Sequence, residues 1–192
     1  MKKKAGKNEV VPLSEATKII RSIARRAALL HICYARGIID ELGEKKGMKL
    51  ISRIIKNYGK RIGEKVKEEI VMKGLEVIPE NFNKNDSYAF ADFPALHDRI
   101  ETVEVEGVRK FRSYGCTFAE VWKDYGEEKL GRLYCYMDPA KYMAYNPRYK
   151  LAHTKTVPDG NDFCELEIKP TTEKEREDFF AEDKDWFYID KS

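Results

Sequence analysis

A chain of 192 residues, 42 % of them hydrophobic, is long enough for one domain with a sizeable core. Lys and Arg number 36 against 33 Asp and Glu, a net charge of +3, and the signs are interleaved, so nothing asks for nucleic acid as a partner. No apolar run approaches the ~18 residues of a membrane helix, and none follows the N-terminal MKKK as in a secretion signal. The chain reads as soluble and cytoplasmic, taking a small molecule rather than a nucleic acid or a membrane, with room for a homo-oligomer.

Residues 1–12 form a charged, flexible basic leader. Ser14 is placed as an N-cap, and Ile19, Ile20, Ile23, Ala27, Leu30 and Tyr34 then recur at helical steps as far as Leu42-Gly43. Arg21, Arg25, Arg26 and Arg36 read as a solvated face of that helix. Gly47 separates a second helix, Met48 to Lys73, with a stripe of Ile51, Ile54, Ile55, Tyr58, Ile62, Val66 and Ile70. Gly59 and Gly63 inside it each cost about 1 kcal/mol relative to Ala. Their four-residue spacing predicts either a close helix contact in the core or a helix face on a ligand.

Residues 75–87 read as loop, and 88–99 as loop or a helical turn around Pro94. Ile100–Val105, Glu106-Gly107 and Val108–Tyr114 predict a β-hairpin. Thr117 and Glu120 have the spacing of a capping box, opening a helix that carries Phe118, Val121, Trp122 and Tyr125. Cys116 directly precedes that cap, where a positive helix end would lower a thiol pKa.

Leu130–Met137 is apolar and aromatic and predicts a buried strand. Asp138-Pro139 opens a short helix, and Asn146-Pro147 stops it. Tyr149–Val157 and Phe163–Ile168 alternate as strands around the turn Pro158-Asp159-Gly160-Asn161. Residues 171–192 are acidic and carry Phe179, Phe180, Trp186, Phe187 and Tyr188, too many aromatics for a disordered tail. A short helix and then an extended piece docked on the body or on a second subunit is expected. The order predicts an α+β fold, with two long N-terminal helices packed on an antiparallel sheet and short helices interspersed. Residues 13–170 are expected as one domain, helical over 13–74 and sheet over 75–170, with 171–192 as an extension.

The four cysteines, at 33, 116, 135 and 164, form no disulfide framework in a chain of this length. They read either as buried free thiols or as working groups. Between Cys135 and Cys164 the sequence carries C-x-x-D-P, then Asn146-Pro147, then Thr154-x-Thr156, then D-G-x-D-x-C ending on Gly160, Asp162 and Cys164. This run resembles the L-2-amino-thiazoline-4-carboxylic acid hydrolase family. The likeness extends more weakly through Tyr58–Gly63, Cys116 and Trp122, and covers about residues 20 to 170. It implies the opening of a cyclic amidine by water, which needs an attacking water or thiolate, a base, an acid for the leaving atom and a partner for the substrate carboxylate.

The candidates for these roles are as follows in the chain. Cys135 and Cys164 are placed as nucleophile or as a thiol pair. His153 on the strand between them is the natural proton shuttle. Asp138 and Asp162 orient it or act as bases, and Arg132, Arg148 and Asn146 are placed on the carboxylate. The structural alternatives stand beside them: Asp138 as a helix cap, Asp162 and Gly160 as turn residues, Cys164 as core, His153 as exposed, Asn146 as a turn residue. His31 and His97 sit in no supporting pattern. No cofactor is expected; a zinc ion on Cys116, Cys135, Cys164 and His153 is the alternative. The resulting reading is a hydrolase of small cyclic amidines or amides. Against it stands a non-catalytic small-molecule-binding or thiol/metal-sensing module with the same pocket.

Overall fold

The computed structural model describes residues 10–89 and 95–191. Two long helices, α1 (Leu13–Leu42) and α2 (Glu44–Met72), form a hairpin joined at Gly43, whose φ of 75° favours glycine. A strand hairpin follows, β1 (Arg99–Val105) and β2 (Val108–Tyr114). Then come three short helices, α3 (Thr117–Asp124), α4 (Glu128–Cys135) and α5 (Met137–Tyr145). Strands β3 (Tyr149–Lys155) and β4 (Cys164–Pro170) close the sheet, and α6 (Glu173–Phe180) leads to a final 3₁₀ turn, Phe187–Asp190. The fold is α+β, and its four strands pair antiparallel in the order β1-β2-β4-β3.

The long helices reach the sheet through α5, which packs on α2 at one side and on β3 at the other. The two glycines of α2 make that possible. A methyl built on Gly59 would overlap Ala140, and one on Gly63 would overlap the carbonyl of Lys141. Close helix packing, rather than ligand contact, is what they serve.

Several expectations give way. On α1 the core face is Ala24, Ala28, Ile32 and Ala35, whereas Ile19, Ile23, Ala27, Leu30 and Tyr34 are exposed. Small side chains let α3 approach: Trp122 Nε1 donates to the carbonyl of Ala28 at 3.3 Å. The second helix starts at Glu44, and Gly47 lies inside it against Ile39. The residues before α1 and α3 are Pro12 and Cys116, so neither Ser14 nor Thr117 acts as a side-chain cap. The expected strand over 130–137 is instead helix α4 and the start of α5. Leu130 and Leu133 repeat at a helical step into the core, and a short apolar segment buried on several sides has no period that separates strand from helix. Residues 75–87 contain a 3₁₀ helix, Pro79–Lys84. Part of the leader, residues 1–9, and the Pro94 region, 90–94, lie outside the described residues.

The C-terminal segment belongs to the core. Phe179, Trp186 and Ile189 are buried in the same cluster as Ile51, Trp122 and Met143, each gaining about 1.5–3 kcal/mol from burial. A capping box between Thr172 and Glu175 starts α6. At its far end Lys56 Nζ donates to the carbonyls of Phe179 at 3.0 Å and Ala181 at 2.8 Å. No helix among the described residues is long and apolar enough to cross a membrane.

Candidate functional site

The site forms where α4, α5, β3 and the final 3₁₀ turn meet. Arg132 comes from α4 and Asp138 from the first turn of α5. His153 comes from β3, next to an irregularity in the β3–β4 register between His153 and Lys155. Such a bulge re-aims the neighbouring side chains. Four consecutive residues before it, Lys150 to His153, are buried, where a strand with one open face would expose every second one; β3 packs against both α5 and the final 3₁₀ turn.

His153 is buried and held at both ring nitrogens. Its Nδ1 lies 2.9 Å from Asp190 Oδ1, and its Nε2 lies 3.5 Å from Asp138 Oδ2. The main-chain N–H of His153 also donates to Asp190 Oδ1, at 3.0 Å. Arg132 pairs with the other oxygen of Asp190 and, through Nε at 3.1 Å, with Asp159. Asp190 is fully buried. Burial alone would raise its pKa, but the His153 and Arg132 contacts together hold it below the usual carboxylate range. Asp138 also pairs with Lys141 one turn on.

Cys116, Cys135 and Cys164 lie near this group, and burial disfavours the thiolate at each of them. Burial pushes Cys116 up to about 11, outweighing the N–H groups of Ala119 and Phe118 that pull it down. Loss of hydration is thus larger than the helix-end effect expected there. Cys135 is raised well above the thiol range by burial, against a smaller pull from Arg132. Cys164 is raised for the same reason, although its sulfur accepts from Val157 N–H at 3.4 Å.

Three expected residues stand apart. Asp162 is exposed in the β3–β4 connection. Asn146 is buried, but it ties the end of α5 to the preceding loop: its Nδ2 donates to the Val77 carbonyl at 2.6 Å, and its Oδ1 accepts from Arg148 N–H at 3.0 Å. Together with the exposed Arg148 it lines a different cleft of about 450 Å³, with Lys67 and Glu76.

A second cavity, of about 380 Å³, opens on the site and is lined by Arg132, His153, Thr154, Asp159, Asn161 and Asp190 among others. Arg132 Nη1 is buried with no hydrogen-bond partner among the described residues. A profile of the L-2-amino-thiazoline-4-carboxylic acid hydrolases matches residues 21–168. The chain belongs to that family. Neither a curated protein nor a solved structure gives a match.

The family match includes Arg132, Asp138 and His153 but ends before Asp190. Asp190 escapes sequence reading because nothing local marks it; its one hint is the aromatic density of WFYID, which demands a docked tail. His97, which sits in no supporting sequence pattern, is part-buried beside this group. Burial lowers its pKa, while Asp138 and Asp98 pull the other way, and its Nδ1 has no partner among the described residues. His31 is structural, bonded to the Leu130 carbonyl at 2.9 Å. Among the described residues no group of three or more His, Cys, Asp or Glu is placed to hold a metal ion. Cys116, Cys135, Cys164 and His153 are therefore not assembled as a zinc set.

Proposed function

We propose that the chain hydrolyses a small cyclic amidine carrying a carboxylate, as the family's name states for L-2-amino-thiazoline-4-carboxylic acid. The observation that carries this reading is Arg132 Nη1, a buried guanidinium N–H without a partner, beside a cavity that His153 also lines. Although the guanidinium is paired with Asp190 and Asp159, this remaining N–H is a donor that fits an anionic group on a small ligand.

His153 is the base. It takes one proton from water as the oxygen adds to the ring carbon between nitrogen and sulfur, and the ring nitrogen gains a proton. The tetrahedral adduct then collapses: the carbon–oxygen double bond forms, the carbon–sulfur bond breaks, and the remaining hydroxyl proton ends on sulfur. Carbamoyl-cysteine results from the thiazoline. Asp138, facing Nε2 and itself paired with Lys141, steadies the protonated ring. Water rather than Cys135 attacks, because burial keeps that thiol protonated.

The test is incubation of purified protein with L-2-amino-thiazoline-4-carboxylate, with carbamoyl-cysteine followed by mass spectrometry. Product formation that disappears in His153→Gln supports the reading. Absence of product from folded protein overturns it.

A further inference from the structure

We infer that Asp190, from the C-terminal segment beyond the family-matched residues, is the positioning residue of His153, and that the final turn is therefore part of the site. This rests on His153 being the base proposed above.

Asp190 Oδ1 accepts from both the main-chain N–H of His153, at 3.0 Å, and its ring Nδ1, at 2.9 Å. The main-chain bond fixes the strand and the ring bond fixes the imidazole on the same oxygen. A neutral imidazole has one N–H. Each ring nitrogen faces a carboxylate, but only the Nδ1–Asp190 contact, at 2.9 Å against 3.5 Å for Nε2–Asp138, is at hydrogen-bond length, which puts that hydrogen on Nδ1 and leaves the lone pair on Nε2. Arg132 on the second oxygen keeps the carboxylate charged and prevents it from turning.

Anchoring the tail does not require this arrangement. Trp186 and Ile189, almost completely buried, already hold the segment by apolar contact. A buried carboxylate adds a desolvation cost that an apolar residue in its place would avoid. Its specific product is a ring held in one tautomer and one orientation.

Asn at this position cannot reproduce that. If its amide oxygen faces His153, its NH₂ meets Arg132. If the oxygen faces Arg132, the NH₂ meets two N–H donors or forces the hydrogen onto Nε2. Asp190→Asn is therefore expected to lower kcat roughly 100-fold or more, with KM little changed.

The deciding experiment is a long-range proton–nitrogen correlation spectrum of the ¹⁵N-labelled full chain at alkaline pH. His153→Gln assigns the signal among the three histidines. The wild type is expected to show the Nδ1–H form, and Asp190→Asn to lose it, whether or not the thiazoline is a substrate. Ile189→Val, which loosens the turn without touching the carboxylate, is expected to leave the tautomer unchanged. An Nε2–H ring in the wild type, or an unchanged ring and unchanged kcat in Asp190→Asn, overturns the inference. Failure of the wild type to turn over the thiazoline while its His153 signal responds to Asp190→Asn would remove the substrate reading alone.

Discussion

Gly63 lies so close to the carbonyl of Lys141 that no side chain fits between α2 and α5. That contact sets the height of α5 on the helical hairpin, and α5 carries Asp138 and Lys141 into the site. Gly63→Ala should therefore destabilise the protein despite the ~1 kcal/mol gained in helix propensity. Overpacking costs typically about 1–3 kcal/mol. Gly37, with nothing within 4 Å of a built methyl, is the control, and Gly37→Ala should stabilise. Urea midpoints for the two variants check the pair, and equal shifts would refute the close-packing argument.

The C-terminal segment is predicted to be indispensable to the fold. Phe179 is fully buried against Trp186 and Phe180. Phe179→Ala should cost about 3–5 kcal/mol, a large fraction of a domain's stability. Thermal unfolding followed by circular dichroism measures it. A change below ~1 kcal/mol would mean that the tail is not part of the core.

Proton transfer and thiol attack are separated by two substitutions. His153→Gln should lower kcat by about 10²–10⁴-fold, the range of general acid–base catalysis. Cys135→Ala should lower it by less than ~10-fold, since that thiol is held protonated by burial. A loss in Cys135→Ala as large as that in His153→Gln would make the thiol the nucleophile.

Acid sensitivity should centre on Glu165. Its carboxylate, on β4, accepts from Thr154 at 2.7 Å, Arg112 at 2.8 Å and Lys110 at 3.2 Å. Burial would raise its pKa, but these three partners outweigh burial and bring it to about 2. A depressed carboxylate stabilises the fold above its unfolded value of about 4.3 and loses that contribution as pH falls toward the folded value. Glu165→Gln should thus be less stable than wild type near neutrality, and the gap should close between about pH 4.5 and 2. Denaturation midpoints across that range test it; a gap independent of pH would assign the loss to shape alone.

Much of the architecture is legible in the chain. The long helices show through apolar recurrence over many turns, and the β1–β2 hairpin through alternation around Glu106-Gly107. Asn146-Pro147 ends α5 as expected, because proline acts through local sterics, but α5 starts at Met137 with Tyr136 as its N-cap residue, so Asp138 lies in the first turn and does not cap the helix. Helix α4 is misread because its eight residues are too few for period to decide. The outer stripe of α1 is mistaken for its core face because the true one is made of alanines, whose value lies in the close approach they allow. Of the proposed site residues, Arg132, Asp138 and His153 converge with the thiols of Cys135 and Cys164 beside them. Asp162, Asn146 and Arg148 do not join them, since turn and tether roles draw on the same residue types.

The sequence by itself determined the fold class and the family, because each rests on local pattern or on a contiguous motif. Only the tertiary structure decided which nitrogen of His153 faces which carboxylate. The partner on Nδ1, Asp190, lies 37 residues away, and the two meet because Phe179, Trp186 and Ile189 dock in the core. Hydrophobic burial is nondirectional, so the sequence shows that the tail docks but not what it delivers.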